Sequence, residues 1–160
     1  MENKVILISI DDMRPDGLEL CKNTYVDELK KIASYTFGAR TVFPSVTLPC
    51  HMSMFHSVPP ERHGILTNTY MPQVKPVNGL FEQIKSAGKT SCMFYGWEPL
   101  RDISRPGSLV AAEYMWSYSF EHTDGILTRK AIDYIKKRIP ILFFCIWLKQ
   151  TKKAGTTAAG

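Results

Sequence analysis

The order of apolar segments along the chain predicts an α/β fold, a mostly parallel sheet with helices on both faces. Three observations predict it. Two short runs, Val5–Ile10 and Thr90–Tyr95, have the length and the β-branched or aromatic character of strands. Between and after them lie stretches whose apolar residues recur at helical spacing. The third is size: 160 residues, 44% hydrophobic and 22% charged, suffice for one core and not for two domains. Strands alternating with helices pair in parallel and are covered on both sides.

Each element has a local reason. Val5–Ile10 ends at Asp11 and Asp12, a buried strand feeding a polar loop. Val26, Leu29, Ile32 and Ala33 mark a helix that Asn23 or Thr24 can cap. Thr41–Phe43, closed by Pro44, reads as a second short strand. Leu48 to Ser57 suits a helix with Pro49 in its first turn, where a missing N–H costs nothing. Val77 to Ala87 carries Leu80, Phe81 and Ile84 and stops at Gly88, a C-terminal helix signal. Thr123 is placed to cap a last helix with Ile126, Leu127, Ala131, Ile132 and Ile135 on one face. Ile139–Leu148 is a further apolar stretch of strand character, and from Lys149 the chain is basic and without apolar periodicity. In such sheets the chemistry is expected at the C-terminal ends of the strands.

Composition narrows the function classes. The net charge of +5 comes from the last 31 residues, with seven Lys or Arg and one acid, so a basic nucleic-acid-binding face is not expected. Cys21, Cys50, Cys92 and Cys145 form no CxxC pair, which argues against a zinc ribbon or a redox motif. The longest apolar run, Ile139 to Leu148, is ten residues, against the ~20 of a membrane helix. The N-terminus lacks the apolar length and cleavage site of a signal peptide. These features predict a cytoplasmic protein without a membrane or nucleic-acid partner.

Two segments carry the candidate chemistry. The first strand delivers Asp11-Asp12-Met13-Arg14-Pro15-Asp16, and carboxylates at a strand tip are costly unless solvated, paired or bound to metal; pairing with Arg14 is the simpler use. The second runs from Arg40 through Ser45, Thr47 and His51 to Ser57 and on to His63-Gly64-Ile65. A hydroxyl at a strand-to-helix turn lies near backbone N–H groups and becomes a nucleophile if a metal lowers its pKa. Ser45, Thr47 and Ser57 all qualify, and helix capping is the ordinary use of Thr47. His51, His56 and His63 are five and seven residues apart, which does not set them on one helical face. Core or surface roles are expected for them.

Taken together, Asp11 at a strand end, Thr47-x-Pro-x-His51, His63-Gly64-Ile65 and Asn68 resemble the alkaline phosphatase superfamily, in its nucleotide pyrophosphatase/phosphodiesterase branch. That resemblance implies an α/β catalytic domain around a central sheet, two divalent metal ions, most often zinc, and hydrolysis of a phosphate ester. It assigns Asp11 as a metal ligand, Thr47 as the nucleophile that also touches metal, and Asn68 as a donor to a phosphoryl oxygen. Asp12 replaces the family's usual Gly, and the opening is also similar to that of sulfatases. Those enzymes need Cys or Ser at the position of Thr47 and Arg at that of His51, so their chemistry is excluded. His56-Ser57 stands where the family has Thr-Gly.

The family's later metal ligands are not matched, since His122 is the only histidine after Asn68. The resemblance covers 1–138, the expected N-terminal part of the catalytic domain, and leaves 139–160 as an apolar strand-like stretch with an off-family basic tail. A frameshift or truncation near Arg138 accounts for this. Permitted codons for Phe144–Gly160, read from their third base, encode a strand followed by Glu-Thr-Asp and Gly-Gly-His, much like the family's next motif. The expected product is an incomplete and inactive hydrolase; the alternative is a non-catalytic α/β fragment or interaction module.

Overall fold

A computed structural model describes residues 4–11, 13–116, 122–137 and 142–149 of the chain. Asp12, the segment 138–141 and the basic end 150–160 lie outside the described residues. The elements in chain order are β1 (Val5–Asp11), α1 (Pro15–Leu20), α2 (Thr24–Ile32), α3 (Thr47–His56), α4 (Pro60–His63), α5 (Leu80–Ser86), β2 (Thr90–Tyr95), a 3-10 helix (Glu98–Ile103), β3 (Ala111–Tyr114), α6 (Thr123–Lys137) and β4 (Leu142–Lys149).

The four described strands form one parallel sheet in the order β1-β4-β2-β3. β4 lies between β1 and β2, with Val5 opposite Phe143 and Asp11 opposite Lys149 on one side, and Thr90 opposite Leu142 on the other. β3 completes the far edge, Cys92 to Tyr95 pairing with Ala111 to Tyr114. The apolar stretch that the sequence marks as strand-like therefore takes the slot joining the first strand to the second. The architecture is mixed α/β, helices flanking a small parallel sheet.

Side-chain alternation in β2 divides the core into two layers. Met93 and Tyr95 point into a cluster with Leu48, Met52 and Phe55 of α3, Phe81 of α5, Ile65, and Leu100 and Ile103 of the 3-10 helix. Cys92 and Phe94 point the other way, against Leu127 and Ala131 of α6. Phe55 and Phe81 stack with ring centroids 5.1 Å apart. Burial pushes the Cys92 thiol up to about 12, so it is packed as an inert apolar group.

Several local expectations hold. Asn23 caps α2, its side-chain oxygen accepting from the N–H groups of Tyr25 and Val26. β2 spans the residues the apolar run marks, and α3 accommodates Pro49 in its first turn. Others are corrected. Thr41–Phe43 has strand-like residues but no strand beside it; Phe43 is 87% exposed, and the chain turns where the Val46 N–H donates to the Pro44 carbonyl. α5 begins at Leu80, three residues after Val77, because Gly79 is its cap and the Glu82 carboxylate reaches back to the Gly79 N–H at 2.8 Å. Thr123 is the first residue of α6, and Ile132, expected on its buried face, is 43% exposed.

Candidate active site at the start of helix α3

The site is built on the junction between 40–46 and α3. Val46, in extended conformation, is the N-cap, and no side chain caps the helix. Thr47 is thus the first helical residue, half-buried, and its hydroxyl is not used as a cap. One of the N–H groups orphaned at a helix start, that of Leu48, instead donates to Oδ1 of Asn68 at 2.9 Å. This bond fixes the amide of Asn68 so that its oxygen faces the helix and its NH2 remains the donor for another acceptor. Thr47 and Asn68, twenty-one positions apart in sequence, are brought to the same helix end.

The turn leading to Asn68 is held by His63. Its Nδ1 accepts the Ile65 N–H at 3.0 Å and its Nε2–H donates to the Ser53 hydroxyl at 3.0 Å, so the ring joins the turn to α3 in a defined neutral tautomer. Gly64 follows with φ of 78°, a left-handed conformation that disfavours any residue with a Cβ. Asn68 therefore depends on a buried histidine and a glycine upstream of it.

A second histidine connects α3 to β1. Nδ1–H of His51 donates to the Thr47 carbonyl at 2.8 Å, which leaves Nε2 to accept from the Ser9 hydroxyl at 3.3 Å. Ser9 and Asp11 share one face of β1, and the Asp11 charge acts on the same ring. Burial lowers the pKa of His51, while the bond to Thr47 and the charge of Asp11 oppose it. Asp11 itself is half-buried at the C-terminal end of β1. Arg14, the simpler partner considered for the first acids, pairs with Asp16 at the surface, and Asp12 lies outside the described residues.

His56 completes the histidine set. Its Nδ1–H donates to the Met52 carbonyl at 3.0 Å, and burial lowers its pKa as it does that of His63. Its ring lies against Gly79, where an added Cβ would come within 3.1 Å of it. Beside it is Glu82, a buried carboxylate accepting from the N–H groups of Gly79 and Arg105 and from the Ser108 hydroxyl. All three histidines of this region are committed to protein partners. Among the described residues, no group of three His, Cys, Asp or Glu side chains could hold a metal ion. Asp11 and Thr47 can offer one oxygen ligand each, which falls short of the three or four protein ligands of a tight zinc site.

Two contributors escape sequence reasoning. Ser9 breaks the apolar run of β1 two positions before Asp11, and a polar residue on an inward face was the available signal. Glu82 stands three residues after Gly79, the spacing of a helix-start capping pair.

The sequence profile described as Type I phosphodiesterase / nucleotide pyrophosphatase matches residues 5–141. The chain belongs to this family. Rat ectonucleotide pyrophosphatase/phosphodiesterase family member 1 is 30% identical over 125 residues, which is 76% of this chain and 13% of that protein. The human member 1 is 31% identical over 124 residues, with the same shares covered, and rat member 3 is 26% identical over 123 residues, 76% of this chain and 14% of the relative. The chain thus spans about an eighth of the length of these relatives. The cytoplasmic location expected from the N-terminus does not stand. These relatives are ecto-enzymes by name, and where the sequence begins has no weight in a chain matching so small a share of them. Among the described residues, no helix is long and apolar enough to cross a membrane.

Proposed function

We propose that the chain carries the nucleophile-bearing part of a phosphate-ester hydrolase, with Thr47 as the attacking residue. The observation that carries this reading is the start of α3, where the Thr47 hydroxyl is not spent on capping and the Asn68 amide is pinned at the adjacent Leu48 N–H. In this reading Thr47 Oγ1 attacks phosphorus in line, displaces the ester oxygen and forms a phosphothreonine that water then hydrolyses. The Asn68 NH2 donates to a non-bridging phosphoryl oxygen, where negative charge builds up. Family membership supports two divalent ions, Zn²⁺ first among them, which would lower the pKa of the hydroxyl. Asp11 and Thr47 are the residues of this chain that would touch them. Two such oxygen ligands do not close a zinc site, so the 160-residue chain binds zinc weakly and lacks turnover on its own. The names of its relatives favour a nucleotide-like phosphodiester as substrate.

The division at Arg138 belongs to the same proposal: 1–138 is the N-terminal part of the catalytic domain, and 139–160 adds a strand-like stretch and a basic tail of shifted frame. The test is a zinc titration with assay on a bis(nitrophenyl) phosphodiester. The expected result is weak zinc binding, lost in Asp11→Asn, and no hydrolysis by the chain, with activity and tight zinc binding in a frame-restored product and loss of that activity in Thr47→Ala. Robust hydrolysis by the 160-residue chain, abolished by Thr47→Ala, would show that it holds a complete site. Activity of the restored product unaffected by Thr47→Ala would overturn the nucleophile assignment. The second reading, a non-catalytic interaction module, is favoured by the lack of any three-ligand group among the described residues. It requires that the restored product also be inactive.

A further inference from the structure

We propose that His63 is a positioning residue for Asn68: its neutral ring holds the strap that presents the Asn68 amide to a phosphoryl oxygen, and protonation of the ring releases it. The role of Asn68 rests on the hydrolase reading. The strap, 63–68, is tied to α3 at both ends. At one end the His63 ring meets the Ser53 hydroxyl at 3.0 Å, and at the other Asn68 Oδ1 accepts the Leu48 N–H at 2.9 Å. Between them Ile65, 1% exposed, sits in the core cluster with Leu48, Met52 and Phe55. Its amide links the two ends, because it donates to Nδ1 of the same His63 ring at 3.0 Å. Leu48 and Ser53 lie on one helix, so α3 serves as a rigid template for the strap.

The chemistry of the ring makes this tie conditional. Nδ1 accepts the Ile65 N–H through its lone pair, and an imidazolium has none, carrying N–H at both nitrogens. Protonation therefore sets two N–H groups against each other at a ring that is 2% exposed, and the Ile65 amide loses its acceptor. The bond to Ser53 is a donor bond from Nε2 and survives, so the charge acts on the Ile65 side alone. The groups facing the ring are His56 of α3, which opposes a second positive charge, and Glu61 of α4 and the Pro49 carbonyl, which favour one. Burial is the largest influence and keeps the pKa of His63 below its ordinary 6.5. The strap is thus held at neutrality, and the tie fails as the pH falls below 6.5.

Amide and ring 15N NMR of the 160-residue chain, titrated from neutrality to about pH 5, tests this. The Ile65 and Leu48 amides and the Asn68 side-chain NH2 are expected to move together, at a midpoint below 6.5 shared with His63 Nδ1. Hydrogen-exchange protection of the Leu48 amide falls about fivefold across that midpoint. His63→Asn is the conservative variant: an asparagine oxygen bonds the N–H two residues on, here that of Ile65, and does not titrate. It keeps the Ile65 and Leu48 amides at their neutral-pH positions and removes the step. His56→Gln keeps the step and moves it to higher pH, since one opposing charge is gone. In the frame-restored product the ratio of acid to neutral kcat/KM rises about fivefold in His63→Asn. Leu48 and Asn68 indifferent to the titration of His63, a step that persists in His63→Asn or vanishes in His56→Gln, or an unchanged kcat/KM ratio would each overturn the proposal. Failure of the hydrolase reading has a separate signature, a restored product indifferent to Thr47→Ala, and the amide coupling is read without it.

Discussion

β1 and β2 are alike in sequence and opposite in surroundings. Both are short apolar runs in a parallel sheet, and both pair with β4. β2 is buried from Ser91 to Tyr95, with α3, α5 and the 3-10 helix over one face and α6 over the other. β1 is covered on one face only. Leu7 and Ser9 turn toward α3, while Ile6, Ile8 and Ile10 stay open, and α2, the amphipathic helix that follows, has no buried residue. A strand of parallel-sheet character is therefore stable in two different ways. One is by burial on both sides. The other is by a ladder on one side and polar ties to a helix, here Ser9 to His51. The candidate site lies where the second kind of strand meets the first kind of layer.

The largest effect that separates the two is expected from Phe94→Ala. Phe94 is 2% exposed, packed against α6 and edge-on to Tyr134 at 5.8 Å. Removing it costs about 3–5 kcal/mol, read as a fall in the denaturant midpoint. A loss below about 1 kcal/mol would mean that the α6 layer is not closed on β2.

Next in size is the response to acid, which concerns the polar groups beneath the β2 cover. Burial alone would raise the Glu82 carboxyl, but the donors from Arg105, Ser108 and Gly79 outweigh it and hold it below its ordinary value of 4.5. Its contribution is present above that value and is lost as the pH falls toward the lower folded value. His56 and His63, lowered by burial, act in the same direction earlier, since the unfolded chain takes up protons first as the pH falls through 6.5. Stability should thus decline in two steps on the acid side. In Glu82→Ala, which leaves the Gly79 and Arg105 amides without their acceptor, the neutral-pH stability falls by about 2 kcal/mol and the later step disappears. Urea titrations between neutrality and pH 3 follow both.

Smaller, and of opposite sign, is Ser57→Gly. Ser57 closes α3 in a left-handed conformation, φ 56° and ψ 34°, where its Cβ is unfavourable. The structure keeps here the backbone that a glycine suits. Glycine should stabilise the chain by about 1 kcal/mol, seen as a raised melting temperature. The smallest effect is expected at the open face of β1. Ile6→Thr keeps β-branching at a 53%-exposed position and should cost less than about 1 kcal/mol. A cost matching that of Phe94→Ala would show that β1 is covered in solution.

Motifs that depend on neighbours in sequence are legible without the fold. Asn23 must cap because its side-chain oxygen is within reach of the next two amides, and Gly88, with φ of 68°, ends the α5 segment because only glycine is at ease there. The order of Asp11, Thr47, His63-Gly64-Ile65 and Asn68 is enough to indicate the family to which the chain belongs. The same local signals mislead at Thr41–Phe43, whose strand propensity meets no partner, and are silent at Ala111–Tyr114, which becomes β3 because β2 offers it an edge. Sheet membership is a property of pairs.

The sequence by itself determined the strand runs Val5–Ile10 and Thr90–Tyr95, the Asn23 cap and the stop at Gly88, since all of these rest on contacts a few residues long. Tertiary structure alone decided that β4 separates β1 from β2, that Ser9 and His51 join β1 to Thr47, and that the Leu48 amide orients Asn68. It also decided that one isoleucine-rich face remains open while its counterpart is sealed. The physical reason is that hydrophobic burial is non-directional and responds to whatever surface arrives, so an apolar run specifies that it seeks cover but not which element covers it.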